Sequence, residues 1–443
     1  MNQERRQPGG LMSVLDTTHV VIVGGGFAGM ACAKRLANAD DIQVTLLDRT
    51  GQHQFQPLLY QVATAELTTR DVLFDLDHMF RHADNVDVRT AEVVGCDPQA
   101  HSVTLADGET IEGDVLVLAA GTQPNFFHTP GASDFAFPLY SADDAQRLRA
   151  QLLQLFHDTV AKPELVDDGA LTFVIVGAGP TGVETAGALS DLVNDVIPHR
   201  YPHAAAGAAK VVLVHLGPSA LADFSDGAHT YATSQLQRRG VELRFGVSAK
   251  EITAHHIALS DGTTIPTHLV VWAGGATASP LAERSGISQG RGGRLDVRPD
   301  LTVGGFARVY ALGDFANIPC GDESALPQLG SVATQSGAWA AKNIIADLDY
   351  SGRRSFEYHD KGFMAMIGRK AAVAEIGQHH HEMHGRIAFA AWLGVHAQLL
   401  ADAGAEVNAF MSWAEEFYIR PHHRSAELLD PATVDQPRIR WGG

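Results

Sequence analysis

The first regular pattern in the sequence is a short apolar stretch, which ends at a glycine and is followed by a helix-forming segment. Residues 20–23 are continuously β-branched and apolar, and residues 30–38 favour a helix. A fully apolar run of this length is typical of a strand that is buried on both faces, as in a parallel sheet. The pattern therefore predicts a strand, a tight turn and a helix.

The turn carries glycines at the spacing Gly-x-Gly-x-x-Gly, namely Gly24, Gly26 and Gly29. The first permits the tight turn, the second lets the backbone approach a pyrophosphate, and the third lets the helix pack on the strand. The N-terminus of the helix can bind the phosphates through its free N–H groups and its partial positive charge. A second apolar run, residues 44–47, ends at Asp48, about 20 residues after the turn, where a carboxylate bonds a ribose hydroxyl. We therefore predict a dinucleotide-binding fold.

The same pattern occurs a second time. Gly177, Gly179 and Gly182 follow the apolar run 173–176, and Gly177 lies 153 residues beyond Gly24 (177 − 24). An Asp-Gly turn recurs at a nearly equal offset, since 261 − 107 is 154. Two such offsets indicate a duplication, so the chain is expected to hold two dinucleotide-binding domains.

A third signature follows the second repeat, where residues 307–314 predict a short strand that ends in Gly-Asp. Such a pair is either an ordinary turn or a device that directs Asp314 at the ribityl chain of a flavin. We predict an α/β fold with two Rossmann-like dinucleotide-binding domains, the second inserted in the first, and a C-terminal segment with amphipathic helices. The expected boundaries are a flexible tail at 1–17, an FAD-binding domain at 18–140 and 292–350, an NAD(P)H-binding domain at 141–291, and a C-terminal domain at 351–443.

Three longer motifs narrow this assignment. They are Phe-Gln-Pro-Leu-Leu-Tyr-Gln-Val-Ala at 55–63, Gly-Pro-Thr-Gly-Val-Glu at 179–184, and Tyr-His-Asp-Lys-Gly-Phe-Met-Ala-Met-Ile-Gly-Arg at 358–369. Together they resemble type II NADH dehydrogenase, the single-subunit NADH:quinone oxidoreductase of the two-dinucleotide-binding-domain flavoproteins. The resemblance extends from about residue 19 to about residue 420.

This resemblance implies an enzyme that takes hydride from NADH or NADPH at flavin N5 and passes two electrons to a quinone on the other flavin face. It implies that Glu184 positions the nicotinamide or relays a proton, and that Lys361 and Gln335 serve the quinone side. The implied cofactor contacts are Gly24, Gly26, Phe27, Ala28, Gly29, Asp48, Arg49, Gln56, Val93, Gly121 and Asp314 for FAD, and Gly177, Gly179, Gly182, His215 and Gly275 for the nicotinamide nucleotide.

Two positions depart from the family pattern. His215 stands where the family has a carboxylate, so it either bonds the ribose or, when protonated, attracts a 2′-phosphate. The choice between NADH and NADPH therefore stays open. Ser331 replaces the first Gln of the quinone-site motif, whereas Gln335 keeps the second. A soluble flavin oxidoreductase with another small acceptor and a flavin-bound redox sensor remain the alternatives.

Composition and charge exclude several classes of protein. The chain has 443 residues, 45% hydrophobic and 19% charged, which is typical of a soluble globular protein. A net charge of −18 disfavours nucleic acid as a partner. Three widely spaced cysteines indicate neither a disulfide framework nor the redox pair of a sulfide:quinone oxidoreductase, and a cytoplasmic location is expected. We interpret the histidines at 379–381 and 384 as a solvated loop rather than a metal site.

The C-terminal region predicts amphipathic helices. One apolar stripe comprises Phe389, Trp392, Leu393, His396 and Leu400, and a second comprises Val407, Phe410, Met411, Ala414, Phe417 and Tyr418. Such stripes serve either as core or homodimer contact, which we favour, or as a weak peripheral contact with the cytoplasmic face of a membrane.

Overall fold

The computed structural model describes residues 17–200, 208–321, 324–400 and 413. Its strands are, in chain order, β1 (Thr18–Val23), β2 (Ile42–Asp48), β3 (Gln52–Gln54), β4 (Leu73–Asp75), β5 (Val86–Thr90), β6 (Val93–Asp97), β7 (Ser102–Leu105), β8 (Thr110–Glu112), β9 (Val115–Leu118), β10 (Thr122–Pro124), β11 (Ala136–Pro138), β12 (Thr172–Val176), β13 (Lys210–His215), β14 (Val241–Phe245), β15 (Ala249–Ile252), β16 (His256–Leu259), β17 (Thr264–Pro266), β18 (Leu269–Trp272), β19 (Ala276–Ala278), β20 (Leu295–Asp296), β21 (Val309–Ala311), β22 (Ala316–Asn317), β23 (Gly362–Met366), β24 (Ala372–Ile376) and β25 (His381–His384). Its α-helices are α1 (Phe27–Leu36), α2 (Leu59–Ala63), α3 (Leu76–Phe80), α4 (Ala132–Phe135), α5 (Ala142–Ala161), α6 (Pro180–Asp191), α7 (Ile197–Arg200), α8 (Asp226–Arg238), α9 (Leu281–Arg284), α10 (Gly330–Leu348) and α11 (Arg386–Leu399).

The chain divides into two compact units, each assembled from separate segments. The first unit comprises Met1–Gly51, Asp75–Gly121 and Ala278–Glu357, and the second comprises Gln52–Phe74, Thr122–Thr277 and Tyr358–Gly443. The domain boundaries drawn from the sequence stay a prediction.

The first unit is built on a five-stranded parallel sheet in the order β21-β9-β1-β2-β5. The central strand β1 is apolar from Val20 to Val23, as expected of a strand inside a parallel sheet, and residues 20–22 are fully buried. Helices α1 and α10 pack against each other, and a Cβ added at Gly337 of α10 would collide with the carbonyl oxygen of Ala28. This close approach brings α10 to the start of α1.

The second unit repeats this arrangement with the sheet order β11-β18-β12-β13-β14. An antiparallel three-stranded sheet interrupts each repeat at the same place, β6-β7-β8 in the first and β15-β16-β17 in the second. The edge strand differs in origin, because β21 follows its repeat in the chain whereas β11 precedes its own. The predicted α/β class with two Rossmann-like folds is confirmed.

The C-terminal part of the second unit is an antiparallel sheet, β23-β24-β25, covered by α11. The first predicted apolar stripe forms one face of α11, and its aromatic residues Phe389 and Trp392 are buried. This stripe is therefore core. The second predicted stripe, from Val407 to Tyr418, lies outside the described residues. Within the described ranges, no helix combines the length and apolar character needed to cross a bilayer.

Candidate functional site

The glycine turn of the first unit has the geometry that its three glycines predict. Gly24 lies at φ +100°, and a Cβ there would collide with the carbonyl oxygen of Ala119. A Cβ at Gly29 would collide with the carbonyl oxygen of Gly24, so α1 starts directly against the turn. At Gly26, by contrast, no atom of the described residues lies within 4 Å of an added Cβ. The space over Gly26 is where a pyrophosphate could approach the N-terminus of α1.

Asp48, at the end of β2, fastens the strand to this turn. Its Oδ2 accepts the N–H of Gly25 at 2.9 Å. Its Oδ1 accepts the N–H and the hydroxyl of Thr50 at 2.8 Å and 2.7 Å, and the N–H of Gly51 at 3.1 Å. Because a carboxylate has about four acceptor positions, Oδ2 keeps one for a ribose hydroxyl. Arg49, which follows, is exposed.

Asp314 lies in a single helical turn, Gly313–Phe315, directly after β21. Its Oδ1 is buried and has no hydrogen-bond partner among the residues that the structure describes. Burial raises the pKa of this carboxyl to about 6, and the charge of Arg294 opposes that rise. A Cβ at Gly313 would come within 2.9 Å of the Cβ of Ala28, which places Asp314 beside the start of α1. An unpaired buried carboxyl oxygen at this position fits a ligand that brings its own hydroxyl groups.

Two residues of this site escaped the sequence analysis. Arg294 is buried and donates to the carbonyl oxygens of Leu326 at 3.0 Å and Arg291 at 3.2 Å. The fully buried hydroxyl of Ser336 accepts the N–H of Gly313 at 3.1 Å. Neither residue belongs to a motif. Only the tertiary structure shows that the charge of Arg294 acts on Asp314 and that Ser336 binds the backbone of Gly313.

The other predicted FAD contacts divide between the units. Gly121 follows β9 at φ +64°, and Val93 starts β6 in a half-buried position. Phe27 borders Gly330, since a Cβ there would lie 3.9 Å from its ring. These residues belong to the first unit, whereas Gln56 belongs to the second, where its amide donates to the carbonyl oxygen of Tyr140 at 3.1 Å.

The glycine turn of the second unit reproduces the first. Gly177 lies at φ +107° against Ala273, Gly182 lies against Gly177, and an added Cβ at Gly179 would have open space among the described residues. His215 ends β13 as Asp48 ends β2, and its Nδ1 accepts the N–H of Ala178 at 3.3 Å. Burial lowers the pKa of this imidazole. The carbonyl oxygen of Gly275 accepts the Tyr140 hydroxyl at 2.9 Å.

Glu184 lies in α6, two residues after the last glycine of this turn. Its Oε1 accepts both the N–H of Met366 at 3.1 Å and the indole N–H of Trp392 at 3.2 Å. Burial raises the pKa of this carboxyl to about 8, and the two hydrogen bonds oppose the rise. At neutral pH Glu184 is therefore mostly a neutral acid.

A buried polar network surrounds this acid within the second unit. The indole N–H of Trp413 donates to Gln61 Oε1 at 2.9 Å, and the Gln61 amide donates to the Tyr60 hydroxyl at 3.2 Å. The Tyr60 hydroxyl donates to the sulfur of Met366 at 3.4 Å. The sequence motifs contain Tyr60, Gln61 and Met366 but not Trp413, and they do not show that these residues meet.

The two predicted quinone-side residues fall in different units. Lys361 belongs to the second unit and is exposed just before β23, where its carbonyl oxygen accepts the N–H of Gly377 at 3.1 Å. Gln335 belongs to the first unit, on α10, in a half-buried position.

The histidine cluster differs in part from the solvated loop expected from the sequence. His380 places Nε2 3.2 Å from Asp360 Oδ2 and Nδ1 3.3 Å from Glu375 Oε2, and these carboxylates raise the pKa of its imidazole. His381 and His384 bound strand β25. The loop interpretation agrees with His379 and His380, which lie in the turn between β24 and β25, and it is wrong for His381 and His384, which pair into a strand. The described part of the chain contains no group of three or more side chains arranged to hold a metal ion.

Comparison with known proteins places these features in one family. Residues 18–337 match the family model described as pyridine nucleotide-disulphide oxidoreductase. Two type II NADH:quinone oxidoreductases of Mycobacterium tuberculosis, Ndh and NdhA, are 34% and 35% identical to this chain. The matches cover 90% and 92% of this chain, and 88% of each relative.

Solved structures agree in fold. NDH2 of Plasmodium falciparum in complex with NADH superposes with a TM-score of 0.83 at 17% identity, covering 92% of this chain and 99% of the other. The sulfide:quinone oxidoreductase of Aquifex aeolicus gives a TM-score of 0.72 at 18% identity, covering 91% and 96%. Together with the sequence matches, the two glycine turns and their strand order lead to one conclusion. The chain belongs to the type II NADH:quinone oxidoreductases, within the pyridine nucleotide-disulphide oxidoreductase family.

Proposed function

We propose that this chain binds FAD in its first unit and a nicotinamide nucleotide in its second, oxidises NADH, and reduces a quinone. The observation that carries the proposal is the buried Oδ1 of Asp314, which lacks a partner among the described residues and follows Gly313, packed against Ala28 at the start of α1. The relatives named as NADH:quinone oxidoreductases support it.

In the first unit, the N–H groups at the start of α1 would hold the pyrophosphate over Gly26, and Asp48 Oδ2 would accept a ribose hydroxyl. Asp314 Oδ1 would accept a hydroxyl of the ribityl chain. Gly121, Phe27, Ala28, Arg49, Val93 and Gln56 remain proposed contacts. When bound, the flavin supplies the capacity to accept hydride and release two electrons.

In the second unit, the backbone over Gly179 would hold the pyrophosphate of the nicotinamide nucleotide, with Gly275 and His215 as further proposed contacts. Glu184 would hold a proton, because burial keeps its carboxyl neutral. Since Oε1 accepts two hydrogen bonds, this proton sits on Oε2. Quinone reduction consumes protons, and a buried acid with a pKa of about 8 is suited to supply one near neutral pH.

Lys361 and Gln335 are the residues proposed for the quinone side. The ammonium group of Lys361 would stabilise negative charge that develops on the quinone oxygen. Gln335 keeps the amide of the family motif, although Ser331 has lost the other one.

We further propose that the protein is a homodimer with weak peripheral contact to the cytoplasmic face of the membrane, where quinones reside. The supporting feature is an exposed apolar edge of α11, formed by Ile387, Val395 and Leu399, which are 73%, 38% and 49% exposed. The helix contains no acidic residue that would repel anionic lipid. Light scattering and sedimentation with liposomes test the two contacts separately. A monomer that stays in the supernatant would refute both.

The function itself is tested by the two half-reactions of the purified protein. We expect a yellow protein that releases FAD on heating, loses its absorbance near 450 nm (roughly where oxidised flavin absorbs) on addition of NADH, and regains it on addition of a short-chain quinone. If the absorbance returns only with acceptors other than a quinone, the result would favour the soluble flavin oxidoreductase. Absence of turnover with every acceptor would favour the redox sensor.

A further inference from the structure

The two glycine turns share the spacing of their three glycines, and they differ in the side chain that accepts a hydrogen bond from each turn. In the first unit the N–H of the residue after the first glycine, Gly25, donates to Asp48 Oδ2 at 2.9 Å. In the second unit the equivalent N–H, of Ala178, donates to His215 Nδ1 at 3.3 Å. Both acceptors end the second strand of their repeat. His215 therefore occupies the position of Asp48 and makes the same backbone hydrogen bond.

The two side chains present opposite chemistry to a ribose. A carboxylate that accepts one N–H still offers acceptor positions to hydroxyl groups. An imidazole has one acceptor nitrogen in its neutral form, and in His215 the N–H of Ala178 occupies it. The proton is therefore on Nε2, and the polar atom that remains for a ligand is a donor. Nothing negative is left at the position that normally repels a 2′-phosphate.

The loop after His215 passes close to this nitrogen at a glycine. A Cβ added at Gly217 would lie 2.6 Å from His215 Nε2, so a larger residue there would collide with the imidazole. The loop returns to the turn through the Leu221 N–H, which donates to the carbonyl oxygen of Ala178 at 2.8 Å. Between His215 and Asp223 the sequence contains no acidic residue. The strand end and residues 216–222 of the loop thus lack a carboxylate that would select against NADPH.

From this geometry we infer that the nucleotide site of the second unit accepts the 2′-phosphorylated coenzyme NADPH as well as NADH, and that His215 is the residue responsible. The inference rests on the proposed function, since it assumes that the second glycine turn binds the coenzyme. An N–H donor bonds either a 2′-hydroxyl oxygen or a 2′-phosphate oxygen, whereas a carboxylate bonds only the former and repels the latter. The substrate class of the enzyme therefore includes both reduced coenzymes.

The test measures binding of coenzyme fragments, 2′,5′-ADP and 5′-ADP, to the FAD-loaded protein by isothermal titration calorimetry. For the wild type we expect dissociation constants within about tenfold of each other, because the site carries no repelling charge. His215→Glu should weaken 2′,5′-ADP by at least about tenfold and leave 5′-ADP unchanged or tighter. His215→Gln, whose amide can accept from Ala178 and still donate an N–H, should keep the wild-type ratio.

His255→Glu is the matched control, since it makes the same charge change at an exposed histidine of the same unit and should not alter the ratio. Flavin content and melting temperature of each variant establish that it is folded. If the wild type binds 5′-ADP but binds 2′,5′-ADP more than about tenfold more weakly, the inference is wrong and the proposed function stands. A ratio unchanged in His215→Glu also overturns the role of His215. If neither fragment nor NADH binds, the proposed function fails together with the inference.

Discussion

Glu184 makes the stability of this protein depend on pH in a way that a single amide substitution should remove. Its carboxyl is buried, and its pKa is raised from 4.5 to about 8. In the unfolded chain the same group titrates near 4.5, so between these values the folded state binds a proton that the unfolded state has released. The free energy of unfolding therefore falls as pH rises from about 4.5 to about 8, and the contribution of Glu184 is lost above that window.

The size of the effect follows from the pKa difference. A shift from 4.5 to about 8 corresponds to about 5 kcal/mol at about 1.36 kcal/mol per pKa unit. At pH 7 about 3 kcal/mol of this is already lost. Glu184→Gln retains the shape of the side chain, and its amide oxygen can accept both hydrogen bonds that Oε1 accepts from Met366 and Trp392. The variant does not titrate, so it avoids this loss.

The assay compares the free energy of unfolding of Glu184→Gln and wild type in urea at pH values from 5 to 9. We expect the free energy of unfolding of the variant to rise relative to that of the wild type by about 1.4 kcal/mol per pH unit. The difference should level off above pH 8. Effects of all other groups cancel in the difference. Glu251→Gln, at an exposed glutamate of the same unit, is the control and should show no such trend. Parallel curves for Glu184→Gln and wild type would refute the burial argument.

Three further changes test separate parts of the structure. Gly26→Val should fold as the wild type does, since no described atom lies near an added Cβ, but its affinity for FAD should fall at least tenfold. If the variant keeps its yellow flavin through gel filtration, the pyrophosphate does not lie over Gly26. Lys361→Ala should slow re-oxidation of the flavin by quinone about ten- to a thousandfold and leave its reduction by NADH unchanged in stopped flow, and equal slowing of both steps would exclude a quinone role. Trp392→Phe removes one hydrogen bond to the charged form of Glu184 and should raise the pKa of that carboxyl by roughly one to two units. The pH at which the free energy of unfolding levels off should rise by the same amount. If that pH does not change, the hydrogen bond does not stabilise the charged carboxylate.

The sequence alone determined the two dinucleotide-binding folds and the glycine positions within them. Gly24 is required by its backbone conformation, at φ +100°. Gly29 is required by its contact with the carbonyl oxygen of Gly24, within the same strand-turn-helix unit. Such requirements involve residues that are close along the chain, and they leave a spacing that can be read without coordinates. The duplication was visible for the same reason, since each repeat carries the same local pattern.

The environment of each functional side chain was decided by tertiary structure. Glu184 receives its hydrogen bonds from Met366 and Trp392, which lie 182 and 208 residues further along the chain. The sequence placed a carboxylate at the start of α6 but could not show that it is a neutral acid, because burial by distant segments raises its pKa. The carboxylates at His380 could not be predicted for a similar reason, since the fold brings Glu375 and Asp360 to its ring. Backbone conformation depends on neighbours in sequence, whereas burial and charge depend on every segment that the fold brings within a few ångströms.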